Sequence, residues 1–174
     1  AAFAEDKDAV IRRALDAGVW MVNVGTQRDT SGAAVQTAQQ YSEGVYAAVG
    51  LHPIHTDKSY HDTQELGADD GGFTSRGEEF DYEYYKKLAK DTRVVAVGEC
   101  GLDYYRIKNQ ESGIRQKTAF EKQIELALEI KKPLMVHCRS AFDDLIKILT
   151  SYFLLRNSDH SGIIHFFTGS VDDA

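Results

Sequence analysis

The chain has 174 residues, 43% of them hydrophobic and 27% charged, which is enough for one domain with a real core and too little for two. Its formal net charge of −7 excludes a protein that holds nucleic acid through a broad basic surface. A metal-dependent nuclease stays admissible, because a bound cation reverses the field of a carboxylate site. No apolar run approaches the roughly 18 residues of a membrane span, and no secretory leader is visible in AAFAEDKDAVIRR. The two cysteines, Cys100 and Cys138, make no disulfide framework, so a cytoplasmic location is expected, or a nuclear one in a nucleated cell.

In chain order, EDKDAVIRRALDAG places Val10, Ile11, Ala14 and Leu15 at helical spacing, with Gly18 where a closing glycine belongs. VWMVNVG (19 to 25) is short and apolar on both faces, as in a parallel strand covered by helices. A polar, alanine-rich helix over 30 to 43 leads to a second strand at 45 to 51. Residues 56 to 80, rich in Gly, Asp and Ser and without sustained periodicity, read as a long loop or insertion. The alternation then resumes with helix 81 to 91 and strand VVAVGEC. The next helix, 115 to 131, carries Phe120, Ile124, Ala127 and Leu128 on one stripe and is stopped by Pro133. Strand LMVHC follows, then a helix with Ser140 and Asp143 spaced as a capping pair, then strand GIIHFF.

Strand and helix alternating five times predict an α/β fold with a parallel sheet in one domain, 1 to 174. A closed (β/α)8 barrel of the TIM type takes about 250 residues, so the expectation is an incomplete barrel of about five βα units. A doubly wound sheet is the competing architecture, but no GxGxxG or GxxxxGK[ST] follows any strand.

Four apolar runs end in a residue able to bind metal: His52, Glu99, His137 and His165. A parallel β/α fold gathers strand carboxyl ends on one face, so Glu99, His137 and His165 are expected to converge as ligands of a divalent cation. By strand alternation Glu99 shares a face with Val95 and Val97, and His137 with Met135 and Arg139, while Cys100 and Cys138 point toward the covering helices. His52, followed by Pro53, is a candidate to bind phosphate, shuttle a proton or ligate. In the loop after Glu99, Asp103 is suited to orienting a histidine or a water, Tyr104 and Tyr105 to stacking on a base, and Arg106 to gripping phosphate. Arg139 is suited to meeting an anionic substrate or pairing with a site carboxylate. Glu99, His52 and Asp103 are thus the candidates for the chemical step, and His52, Tyr104, Arg106 and Arg139 for substrate binding. His55, His61 and His160 lie in loop-like sequence and are expected at the surface.

Taken together, GLHP at 50 to 53, VGECGLDYYR at 97 to 106, the long run RQKTAFEKQIELALEIKKPLMVHCR at 115 to 139 and HFFTGS at 165 to 170 resemble the TatD family of metal-dependent deoxyribonucleases. HFFTGS is similar to that family's HCFSG, with Phe166 in place of cysteine. The resemblance implies an amidohydrolase-type (β/α)8 barrel with two divalent metals, Mg, Mn or Zn, that hydrolyses DNA phosphodiesters, often single-stranded or from a 3′ end. It implies Glu99 as the carboxylate bridging the two metals, with His137 and His165 completing one of them. The family's first-strand His-x-His and late aspartate have no counterpart here, so one half-site is expected. With no apolar run of membrane-spanning length, no membrane association is expected, and no obligate protein partner is evident in the sequence. The rival readings are a related amidohydrolase acting on an amide or ester, and an inactive domain that binds nucleic acid or protein.

Overall fold

The computed structural model describes residues 5–58, 60–61, 73–74, 76–105, 107, 109–156 and 161–174. Helix α1 (Lys7–Asp16) buries Ile11 and closes through Gly18 at φ +73°, as the glycine's position predicts. Strand β1 (Met21–Val24) enters helix α2 (Arg28–Ala38) through a reciprocal capping box between Gln27 and Thr30. That helix starts two residues earlier than its periodicity suggests and stops five earlier, because the chain turns to bury Tyr41 before Gly44 (φ +74°) starts strand β2 (Val45–Val49).

The segment expected as a loop from 56 to 80 contains two short strands, β3 (Tyr60–His61) and β4 (Phe73–Thr74), paired antiparallel. Residues 59, 62–72 and 75 lie outside the described residues. Helix α3 (Tyr82–Ala89) is capped by the Asp81 carboxylate on the Tyr84 N–H. Strand β5 (Val94–Asp103) is followed by helix α4 (Gln110–Ile130), which begins five residues before the expected start at 115 because the Asn109 side chain caps the Ser112 N–H at 2.9 Å. Strand β6 (Leu134–Arg139), helix α5 (Phe142–Arg156) and strand β7 (Gly162–Ile164) complete the order. Ser140 does not cap α5, since it sits at φ +55° two residues before the helix begins.

The five long strands form one parallel sheet in the order β1-β2-β5-β6-β7, with β1 and β7 at its edges. Its helix-covered face carries the core: Val45, Val49, Val97, Leu102 and Leu134 pack with Phe120, Ile124, Leu126 and Leu145. The other face is open at the edge strands, where Val22 is 40% and Ile163 58% exposed. At the sheet's opposite end from the histidines, the Lys132 ammonium donates to the carbonyls of Ala89, Asp91 and Val94 at 2.5, 3.1 and 2.6 Å. These bonds tie the end of α4 to the start of β5.

One irregularity decides where Glu99 points. Gly98 pairs with Met135 and Cys100 with Val136, so Glu99 is an extra residue in β5, a β-bulge. Val97, opposite Leu134, lies on the helix-covered face, and so does Cys100. Glu99 lies instead on the face of Met135 and His137. Alternation therefore misassigns Glu99 to the face of Val97, because the bulge advances the side-chain period by one. Cys100 and Cys138 are buried among the core as expected, with both thiols pushed up by burial.

Candidate metal centre

β5 passes so close to β6 that a Cβ at Gly98 or Gly101 would stand 2.3 and 2.1 Å from the carbonyl oxygens of Met135 and His137. Glycine at both positions lets Glu99 and Asp103 stand beside His137 at adjacent strand ends. Glu99 Oε1 is 3.3 Å from His137 Nδ1, 3.2 Å from His165 Nδ1 and 3.9 Å from His52 Nε2. One carboxylate oxygen thus faces three imidazole nitrogens supplied by β6, the end of β7 and the end of β2. His52, Glu99 and His137 each offer a ligand atom within 4.8 Å of the others.

Asp103 reaches this group only through His137. Its Oδ2 lies 2.9 Å from His137 Nε2, while its Oδ1 accepts the Tyr105 N–H at 3.1 Å. Burial works to raise its pKa, but the hydrogen bond and charge of His137, with the Tyr105 N–H and the Arg139 guanidinium, together outweigh that and hold the carboxyl below its ordinary range. An ionised carboxylate can only accept, so Nε2 of His137 carries a hydrogen and Nδ1 is the atom turned toward Glu99. Burial pushes the His137 pKa down, yet its hydrogen bonds to Asp103 and Glu99 lift it to about 9. Burial works to raise the Glu99 pKa as well, but its contact with His137, the adjacent His52 and the hydrogen bond with His165 together overcome that and leave it ionised, with its pKa lowered to about 2.

His52 has the opposite environment. Burial, with the adjacent His137, lowers its pKa to about 3, so its ring is neutral. Its Nδ1 accepts the Ile54 N–H at 3.3 Å in the tight turn Pro53–His55 that closes β2. The ring proton is therefore on Nε2, the nitrogen facing Glu99. In this arrangement His52 is a donor into the site. A neutral, buried imidazole that already accepts on Nδ1 is poorly suited to shuttling protons.

The donor set fits a divalent cation on two counts. Carboxylate and imidazole together suit Mg, Mn or Zn in increasing preference for nitrogen. Ligand bonds of about 2.0–2.2 Å put neighbouring donor atoms roughly 3.0–3.5 Å apart in tetrahedral or octahedral geometry. The Glu99–His137 and Glu99–His165 separations, 3.3 and 3.2 Å, fall in that range, while the group whose donor atoms all lie within 4.8 Å of one another is His52, Glu99 and His137, with His165 outside it and in contact with Glu99.

Other expected site residues fall differently. The Tyr104 hydroxyl donates to Asp144 of α5 at 2.8 Å and its ring packs on the core, so the neighbouring Tyr105 is the exposed aromatic of this loop. The Arg139 guanidinium lies 3.5 Å from the centroid of the Tyr105 ring. Arg106 lies outside the described residues, as does His160, and so does the His61 side chain. His55 is 5% exposed, contrary to the surface position expected of it. The turn that Pro53 initiates folds it under the sheet end, where its carbonyl accepts the Glu78 N–H at 2.8 Å. Sequence reading passed over Gln116 and Gln123, buried on α4. Their one signal is that two amides interrupt an apolar stripe at a spacing of seven, two helical turns.

A parallel β/α sheet whose strand ends converge on a carboxylate and imidazoles defines a barrel-type protein with a candidate divalent-metal centre. The chain belongs to the TatD-related DNase family, whose sequence profile matches residues 1–174. It is 33% identical over 172 residues to the 3′-5′ ssDNA/RNA exonuclease TatD of Yersinia pseudotuberculosis, covering 98% of this chain and 57% of that one. The protein of the same name from Erwinia amylovora is 32% identical over 169 residues, covering 97% and 56%. Among solved structures, a TatD homologue from Escherichia coli K12 superposes with a TM-score of 0.72 at 27% identity, covering 99% of this chain and 58% of that one. A TatD family hydrolase from Entamoeba histolytica shares the fold with a TM-score of 0.66 at 22% identity, covering 97% and 52%. The chain thus spans just over half the length of these relatives. Among the described residues no helix is long and apolar enough to cross a membrane.

Proposed function

We propose that the protein is a metal-dependent hydrolase of nucleic-acid phosphodiester bonds, working from the 3′ end of single-stranded DNA and, like the two exonucleases named above, on RNA. The observation that carries this reading is Glu99 Oε1 facing His137 Nδ1, His165 Nδ1 and His52 Nε2 at 3.3, 3.2 and 3.9 Å. A divalent cation, when bound, supplies the positive charge that polarises a phosphate oxygen and acidifies a water. Glu99, His137 and His165 would hold it, and a second ion would share Glu99 with ligands not found in these residues.

The remaining groups bind and orient. His52, neutral with its proton on Nε2, donates to an anionic phosphate oxygen. Asp103 keeps the His137 ring turned with Nδ1 toward the cation. Arg139, braced on Tyr105, offers a guanidinium to phosphate and the aromatic face a surface for a base. An amide- or ester-cleaving relative would have no use for that anion grip. Free thiols at Cys100 and Cys138 suit a reducing compartment, so the location proposed is cytoplasmic, or nuclear in a nucleated cell.

The test is degradation of a 3′-labelled single-stranded oligonucleotide by the native protein with magnesium or manganese. Activity should vanish with chelator. Glu99→Ala should lower turnover at least about 100-fold while leaving circular dichroism and melting near wild type, because it removes a site charge and no core group. Near-normal turnover by Glu99→Ala would sink the reading. Cleavage of an aryl ester with no action on the oligonucleotide would replace it with the amidohydrolase alternative.

A further inference from the structure

We infer that Gln116 and Gln123, two turns apart on the buried side of α4, are positioning residues for the candidate metal centre. This rests on the metal-site reading proposed above. Each side-chain amide clasps the backbone N–H and carbonyl of one residue at the sheet end that carries the histidines. Gln116 Oε1 accepts the Asp103 N–H at 2.9 Å and its Nε2 donates to the Asp103 carbonyl at 2.9 Å. Gln123 Oε1 accepts the Leu51 N–H at 2.8 Å and its Nε2 donates to the Leu51 carbonyl at 3.0 Å.

The sheet itself explains the need. The last ladder pair between β2 and β5 is Val49 with Val97, so beyond it the facing edges of the two strands have no strand partner. Leu51 is 1% and Asp103 7% exposed, and a buried peptide without partners costs the full desolvation of each group. A carboxamide is the side chain that offers a donor and an acceptor in one plane, so it substitutes for the missing strand. Room for one clasp is left by Gly50, where a Cβ would stand 2.8 Å from Gln123 Oε1 and 2.9 Å from the Gly98 backbone.

Each clasped residue leads directly to the site. Asp103 holds His137 Nε2 at 2.9 Å, so Gln116 acts on the His137 ring through the Asp103 backbone. Leu51 precedes His52, so Gln123 sets the backbone from which the His52 donor projects. One helix thereby places a metal ligand's carboxylate partner and a substrate donor in a common frame, while touching neither metal nor substrate.

The two clasps have separable consequences. In the native protein, Gln116→Met and Gln123→Met keep side-chain size and remove both bonds. Phe120→Leu, fully buried between them on the same helix, perturbs packing without touching either peptide and serves as the control. Calorimetric titration with Mn²⁺, at a temperature where every variant is folded, should show Gln116→Met binding about 10- to 100-fold more weakly, the range for lost support of a ligand. Gln123→Met should stay within about threefold of wild type for Mn²⁺ but raise KM for a single-stranded oligonucleotide by about tenfold, the effect of one lost substrate hydrogen bond. Phe120→Leu should change neither quantity beyond about threefold, even where its melting temperature falls as far. Should a methionine variant fail to fold, Gln→Glu at the same position keeps the acceptor, removes the donor and is read the same way. If the glutamine variants match Phe120→Leu in both quantities, the glutamines are structural only and the inference fails. If wild type itself takes up no Mn²⁺, the metal-site reading fails, and the clasp inference falls with it.

Discussion

His137 lies between two carboxylates, with Asp103 Oδ2 at 2.9 Å from its Nε2 and Glu99 Oε1 at 3.3 Å from its Nδ1. The two contacts are not equivalent. Asp103 is held by the Gln116 clasp and gives its second oxygen to the Tyr105 N–H, whereas Glu99 shares its oxygen with two further imidazoles. The first contact orients the ring, and the second is the one a cation would enter.

Asp103→Asn tests that division. Asparagine keeps the acceptor for the Tyr105 N–H but can present an N–H to His137 Nε2, which moves the ring proton to Nδ1. Metal affinity should drop about 10- to 100-fold with little loss of stability. Nitrogen-15 NMR of the imidazole in the metal-free protein, recorded above pH 9 where the ring has lost its second proton, should show the tautomer change, and an unchanged tautomer with unchanged affinity would remove Asp103 from the site.

The metal-free protein should have a pH optimum of stability near the ordinary imidazole pKa. His137 has a folded pKa raised to about 9, so its contribution is fully present below about pH 6.5 and is lost as pH rises through 9. His52 is depressed to about 3, so its contribution is present above about pH 6.5 and is lost as pH falls toward 3. Denaturant melts across pH 4 to 10 should therefore fall on both sides, and His137→Gln should flatten the alkaline limb. An alkaline limb unchanged in that variant would show that His137 is not the group responsible.

Lys132→Met removes three hydrogen bonds from a partly buried ammonium to the carbonyls of Ala89, Asp91 and Val94. Leaving those carbonyls without their donor should cost about 1–3 kcal/mol, read from urea midpoints. Metal affinity should stay at the wild-type value, since Lys132 lies at the far end of the strands. A loss under about 0.5 kcal/mol would mean that water replaces the ammonium.

Residues 1–174 expressed alone should self-associate. Trp20 beside β1 is 65% exposed, and Ile163, Phe166 and Val171 in and beyond β7 are 58, 85 and 92% exposed, next to sheet edges that have open hydrogen-bonding groups. Light scattering at micromolar concentration decides this, and a clean monomer would contradict it.

Much of this protein is legible in its sequence. Alternating apolar strands and amphipathic helices specify a parallel sheet, because strands buried on both faces must be continuous apolar runs. A histidine or glutamate closing four of the five runs then identifies the polar end of the sheet. Other features required the folded chain. The β-bulge at Glu99 turns its carboxylate to the face opposite Val97, and such a shift depends on the register against β6, a non-local property. The burial of His55 follows from a turn packing under the sheet end, and the assignment of Tyr104 to Asp144 from the position of α5. Gln116 and Gln123 look in sequence like flaws in an apolar stripe. Only the tertiary structure brings them to the peptides of Asp103 and Leu51, because a hydrogen bond between residues 13 or 72 apart depends on three-dimensional distance, to which local pattern is blind.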